Sequence, residues 1–214
     1  MRLLYQTHSP FARKALVFAH EIGIADRIVV EHHETSPTAR NDEVFSQNPL
    51  GKVPVLLRPD LPALFDSSVI CAYLDTLHDG DSLYPADPEA RWQALQLEAL
   101  AQGMADAGIA VRWETVRRPE ALRFADLRDG YIAKLETSYA WLEQHMNFDA
   151  GLHIGQIALA TTLDWLEFRS LPSFRKSTHL SDWFDAFALR PSMTATPLSG
   201  DTVDVAGPRA QVKA

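Results

Sequence analysis

Residues 9–14 read Ser9-Pro10-Phe11-Ala12-Arg13-Lys14, and this stretch joins an apolar run to a helical pattern. Before it, Leu3, Leu4 and Tyr5 form a brief buried strand; after it, Phe11, Ala15, Phe18 and Ile22 recur at spacings of four, three and four. Ser9 falls at the turn between them, where serine caps a helix, and Pro10 takes the first helical position, where its missing N–H costs nothing. A helix N-terminus carries unpaired N–H groups and a partial positive charge, so it stabilises an anion or a thiolate. Ser9 therefore has two readings, a plain cap and a donor to a bound anion.

Working outward, Arg27 to His33 is β-branched at its centre and reads as a second strand, giving a βαβ unit with a parallel pair. The polar stretch from Thr35 to Asn48 holds an irregular helical turn. Val53-Pro54-Val55-Leu56-Leu57 reads as a third strand containing a proline, which cannot serve a central ladder and so needs a reason. Leu64-Phe65 makes a short fourth strand. Asp66-Ser67-Ser68 then caps a helix with Ile70, Tyr73, Leu74 and Leu77 on one face.

From His78 to Pro88 the composition shifts to Asp, Gly, Ser and Pro, and strand patterning ends. Helical patterns follow over 89–116, from Pro119 through the face Ile132, Leu135, Tyr139, Leu142 and Met146, and around 179–189. Ile154 to Phe168 is apolar almost all round, which predicts a helix buried in the middle of its domain. The expected organisation is α/β plus all-α: residues 1–78, a linker at 79–88, an all-helical domain at 89–195, and a loosely held tail at 196–214.

The chain has 214 residues and a net charge of -8, and no stretch gathers the Lys/Arg cluster that phosphate neutralisation requires, which argues against a nucleic-acid binder. Its single cysteine, Cys71, excludes an internal disulfide framework and any CxxC site, and reads as a packed thiol. His8, His32 and His33 make no metal spacing with it, so no metal is expected. The opening residues lack the order of a signal peptide, and no apolar run reaches about 18 residues, so no membrane span is read and a cytoplasmic location is expected.

A βαβ-then-ββα domain followed by helices, with Ser9-Pro10-Phe11, Asn48-Pro49-Leu50-Gly51-Lys52-Val53-Pro54 and Asp66-Ser67 in that order, resembles the glutathione transferase superfamily over nearly the whole chain. The nearest group is bacterial, with Ser-Pro-Phe-x-Arg-Lys at the first helix and a buried helix ending in Phe168-Arg169. The resemblance implies a thioredoxin-like glutathione-binding domain, an all-helical second domain, glutathione as co-substrate and a homodimer. Both positions of the Cys-Pro-x-Cys motif of that fold are replaced here, by Ser9 and Ala12, which removes dithiol exchange. Ser9 is then the hydrogen-bond donor to a glutathione thiolate, with Tyr5 the runner-up, since other branches of the family use a tyrosine near the end of the first strand.

By the same resemblance the Val53–Pro54 bond is cis, the Val53 backbone pairs with the cysteinyl backbone of glutathione, and Lys52 meets the glycyl carboxylate. Ser67 holds the γ-glutamyl carboxylate and Asp66 faces its amino group; Phe11 belongs to the glutathione-binding set and also lines the electrophile pocket. The family builds its electrophile pocket from the helix that here carries Met104, Asp106, Arg112 and Trp113, and the pocket is expected to take an apolar electrophile. The implied activity is that of a glutathione S-transferase, in which the thiolate attacks that electrophile. The alternatives are a non-catalytic module of the same fold that binds a ligand or a protein, and a glutathione-dependent dehalogenase, ether-cleaving enzyme or isomerase. One departure from the family is His153 where a Ser or Thr usually caps the buried helix.

Overall fold

The computed structural model describes residues 1–202. Strand β1 (Arg2–Tyr5) is central because Leu3, Leu4 and Tyr5 are buried on both faces, as a strand covered from two sides requires. Helix α1 (Pro10–Glu21) returns the chain so that β2 (Val29–His32) pairs parallel with β1, Leu3 opposite Val30. Strand β3 (Val55–Arg58) pairs antiparallel on the other side of β1, and β4 (Leu61–Leu64) antiparallel with β3, giving the order β2-β1-β3-β4. Between β2 and β3 lies α2 (Asp42–Gln47), capped by the Asn41 side chain.

Two strand expectations are corrected. Pro54 precedes β3 instead of interrupting it, so no ladder bond is lost, and the Val53–Pro54 bond is cis. The fourth strand is Leu61–Leu64, not Leu64-Phe65; Asp60 turns the chain at φ 57°, and Pro62 is tolerated on an edge strand.

Helix α3 (Ser67–Leu74) closes the sheet-bearing half. Then come α4 (Pro88–Arg112), which widens into a π turn at Trp113–Arg117, α5 (Ala125–His145), α6 (Ile154–Phe168), α7 (Thr178–Ala188) and α8 (Pro191–Thr194). Pro119 opens only a 3-10 turn at Glu120–Leu122, not the long helix, which starts at Ala125. Nor is the segment after α8 loose at its start. Thr196 is buried, the Ser199 N–H donates to the Thr7 carbonyl at 3.1 Å, and the Thr7 hydroxyl returns a bond to the Ser199 carbonyl at 2.9 Å. The rest of the expected tail, from 203, lies outside the described residues.

Helix α6 is buried along nearly its whole length, as its sequence predicts, and it packs on both α4 and α1. Gly155 permits the close approach to α4: a Cβ there would stand 2.5 Å from the Ala94 carbonyl oxygen. His153 does cap α6. Its Nδ1 accepts from the Gly155 N–H at 3.2 Å, and Gln156 Oε1 accepts from the His153 N–H at 3.3 Å, so a capping box forms with an imidazole in the serine's place.

Helix α1 is sandwiched between the sheet and the helical half, and its two adjacent cations are buried there. Arg13 pairs with Asp164 of α6 and donates to the Met193 carbonyl at 3.2 Å. Lys14 donates to Glu98 of α4 at 2.9 Å and to Ser68 of α3 at 3.0 Å. Breaking a buried pair by removing one charge strands the other, at a cost of about 3–5 kcal/mol, whereas replacing both by apolar groups recovers much of it. Glu98→Gln is therefore expected to lower the free energy of unfolding in urea by about that amount, and Lys14→Met with Glu98→Leu to lower it much less.

Candidate active site

The cleft between the sheet-bearing half and α4 has a volume of about 520 Å³. At its base stands the N-terminus of α1. The Ser9 Oγ accepts from the Ala12 N–H at 3.2 Å, so its lone pair serves as the cap while its own hydroxyl proton remains to be donated into the cleft it lines. The preceding loop is held by Trp165 of α6, whose Nε1 donates to the His8 carbonyl at 2.9 Å.

The second wall is the loop before β3. Asn48 organises it: its amide donates to the Lys52 carbonyl at 2.9 Å, and its side-chain oxygen accepts from the Leu50 N–H at 3.0 Å. Gly51 adopts φ 61°, and a Cβ there would meet the Phe45 ring at 2.1 Å, so glycine is required both by the backbone and by the packing. Gly51, Lys52 and Val53 all line the cleft, and Lys52 is exposed to it.

Helix α4 supplies the third wall through Asp106, Ile109 and Arg112, which fall on one face at steps of three, and the π turn that follows adds Trp113. Asp106 is held above the usual carboxylate range by desolvation at this wall; Lys52 opposes the shift and Asp66 reinforces it. At the start of α3, Ser67 is buried and its Oγ has no hydrogen-bond partner among the described residues, while Asp66 accepts at one oxygen from the Ser68 N–H and at the other from Gln102.

Of the residues singled out from the sequence, the cleft brings together Ser9, Phe11, Lys52, Val53, Asp106, Arg112 and Trp113. Pro54 is buried behind Val53, and Asp66 and Ser67 stand outside the cleft lining at the head of α3. Two residues are corrected outright. Tyr5 is packed in the core, 4% exposed, and burial pushes its hydroxyl up to about 12. Met104 is also core, on a face of α4 turned to α5 and α6. Cys71 is fully buried, and burial pushes its thiol up to about 12.

Sequence reasoning missed His8, Arg117 and Trp165, all of which line the cleft. Arg117 follows Arg112 by five, a step the 3.6-residue period places on another face; the π turn at Trp113–Arg117 brings it round. His8 is 5% exposed, its Nε2 has no hydrogen-bond partner among the described residues, and Glu34 lies 3.7 Å away. Burial holds its imidazole below the ordinary value against the pull of Glu34, and Arg169, His32 and Arg112 add to the depression. Among the described residues no group of three His, Cys, Asp or Glu side chains converges as a metal site, and no helix is long and apolar enough to cross a membrane.

Comparison with known proteins places this chain beside one family model and several relatives. The family model described as Glutathione S-transferase, N-terminal domain matches residues 8–77. The Uncharacterized GST-like protein YibF of Escherichia coli K12 is 32% identical over 79% of this chain and 83% of its own length. A glutathione transferase family member from Pseudomonas fluorescens Pf-5, solved with bound glutathione, is 34% identical and superimposes with a TM-score of 0.88 over 93% of this chain and 99% of its own. The same Pseudomonas protein with bound S-(propanoic acid)-glutathione gives 0.84 at 35% identity over 94% of this chain and 100% of its own.

A buried imidazole held neutral has a signed consequence for stability. Burial also depresses His153, whose Nδ1 must stay unprotonated to cap α6. The unfolded chain takes up these protons first, near pH 6.5, so both contributions are fully present above that pH and are lost as pH falls through the lower folded values. Urea unfolding midpoints are expected to fall as pH drops below about 6.5, and replacing His8 with Gln and His153 with Asn to flatten that dependence.

Proposed function

The chain belongs to the glutathione S-transferase family, and on that premise we propose that it binds glutathione in the cleft and activates its thiol at Ser9 for attack on an electrophile. The observation that carries this reading is the Ser9 hydroxyl, which caps α1 through its lone pair and keeps its proton for a sulfur placed at the helix end. That the Pseudomonas relative binds glutathione and S-(propanoic acid)-glutathione supports placing the tripeptide here.

In this reading residues 1–78 hold the tripeptide, 79–88 link, and 89–195 supply the electrophile wall. The glycyl carboxylate pairs with Lys52. The cysteinyl backbone pairs with that of Val53, which the cis Val53–Pro54 bond turns to the cleft. The γ-glutamyl carboxylate sits at the head of α3, where the buried Ser67 Oγ, without a hydrogen-bond partner among the described residues, offers a donor, and its ammonium faces Asp66. Phe11 covers the sulfur. We place the protein in the cytoplasm, where a single buried thiol needs no disulfide partner. We also propose a homodimer, which would cover Leu61, Val69 and Trp92, exposed on β4, α3 and α4.

The energetics are adequate. A free thiol titrates near 8.5, and each pH unit of lowering requires about 1.4 kcal/mol of preferential stabilisation of the anion. A hydrogen bond to a charged group contributes about 1.5–3 kcal/mol and a helix end about 0.3–1 kcal/mol, together enough to lower the titration by about one to three pH units, to near neutrality or below it. The serine is a donor and not a covalent nucleophile; the nucleophile is the sulfur. Ultraviolet titration of the bound thiolate is expected to move up by about one pH unit or more in Ser9→Ala, with glutathione still bound. An unchanged titration would remove Ser9 from the reaction, and absence of glutathione binding in the unaltered protein would remove the whole reading.

A further inference from the structure

The turn that delivers Ser9 is held from the far end of the chain. Residues 6–9 close tightly, the Ser9 N–H donating to the Gln6 carbonyl at 3.0 Å, with Thr7 and His8 at the corners. Gln6 is anchored within the sheet-bearing half, its amide donating to the Thr35 carbonyl at 2.9 Å. Both corners are anchored from the rest of the chain. Trp165 of α6 donates to the His8 carbonyl, and residues 196–202, which follow α8, grip Thr7.

That segment lies across the turn as a strap. The Thr196 hydroxyl is buried and donates to the Ser192 carbonyl at 2.8 Å, while Leu198 packs against the helical core. Ser199 then exchanges two bonds with Thr7, its N–H donating to the Thr7 carbonyl and its own carbonyl accepting from the Thr7 hydroxyl. Gly200 bends the strap at φ 80°, a conformation that favours glycine, and Thr202 reaches the cleft wall. Between them Asp201 accepts from Arg169 Nη1 at 2.6 Å. Arg169 stands at the C-terminus of α6, one turn beyond Trp165, and its side chain is 5% exposed against 87% for Asp201. Its Nε and Nη2 are buried without a hydrogen-bond partner among the described residues, so the bond to Asp201 is one a buried guanidinium cannot easily give up. The end of α6 therefore holds the turn twice, directly through Trp165 and indirectly through Arg169 and the strap.

Resting on the reading of Ser9 as donor to the glutathione thiolate, we propose that Thr7, Ser199, Asp201 and Arg169 are positioning residues, which fix the turn at 6–9 and with it the direction in which the Ser9 hydroxyl donates. The bond from the Ala12 N–H holds the Ser9 oxygen from the helix side only. The turn holds it from the other. A hydrogen bond to an anion weakens as its length and angle depart from the optimum, so a loosened turn lowers the stabilisation of the thiolate. None of the four residues is needed to bind the rest of the tripeptide. Loss of the strap is therefore felt at the sulfur and not in peptide affinity.

The test uses the full chain and two probes: glutathione, whose bound thiolate is titrated by ultraviolet absorbance, and S-methylglutathione, whose sulfur cannot ionise and whose affinity is read by calorimetry. In Thr7→Val and in Asp201→Asn the thiolate titration is expected to move up by about half a pH unit, with S-methylglutathione affinity kept within about twofold. Thr7→Ser, which keeps the hydroxyl, and Asp201→Glu, which keeps the charge, are expected to return the titration toward that of the unaltered protein. Circular dichroism checks folding, and the two sites test the strap separately, so one variant that does not fold leaves the other. An unmoved titration in both Thr7→Val and Asp201→Asn, by proteins that bind glutathione, overturns the proposal and leaves the glutathione reading intact. So does a matching loss of S-methylglutathione affinity, which would place the effect in peptide binding. Failure of the unaltered protein to bind either probe overturns the underlying reading and the proposal with it.

Discussion

The structure depends on where α1 is held. This helix carries Ser9 at its head, and it is fixed by two adjacent cations, Arg13 and Lys14, buried between the sheet and the helical half. Arg13 reaches Asp164 of α6, and Lys14 reaches Glu98 of α4 and Ser68 of α3. Such pairs add little net stability compared with an apolar core, but they penalise any misplacement steeply, because a slip leaves a charge unpaired. They therefore fix the separation between the first-helix terminus and the α4 wall. An active site built from two halves of the chain needs that positional precision, since small displacements of reacting groups cost rate.

The chemistry follows from this placement. A neutral hydroxyl at a positive helix end, a flanking loop stiffened by Asn48 and Gly51, and a buried hydroxyl at the head of α3 make a site suited to an extended, doubly anionic peptide.

Much of the fold was legible in the sequence. An almost unbroken apolar stretch marked α6, and the Ser9-Pro10 pair marked the start of α1; β-branched and apolar runs found the central and parallel strands. The edges were less legible. Pro62 and Asp60 disguised β4, and a proline at 119 read as a helix start although the chain there makes only one tight turn. For the site, the glycine and proline punctuation around Lys52 and Val53 was readable because backbone geometry demands those residue types. Met104 and Arg117 were misjudged for one reason: a uniform helical period does not reveal which face α5 covers or that α4 widens after Arg112. Nothing in the local pattern marks Arg13 and Lys14 as buried, since their acidic partners lie more than 80 residues away.

The central claim is that the glutathione sulfur meets the Ser9 hydroxyl at the head of α1. A crystal structure of the complex with glutathione tests it most directly. The account predicts the sulfur within hydrogen-bonding distance of Ser9 Oγ, the cysteinyl backbone paired with Val53, and the γ-glutamyl carboxylate at Ser67. A sulfur directed away from Ser9, or a tripeptide bound outside the cleft between α1 and α4, would contradict it.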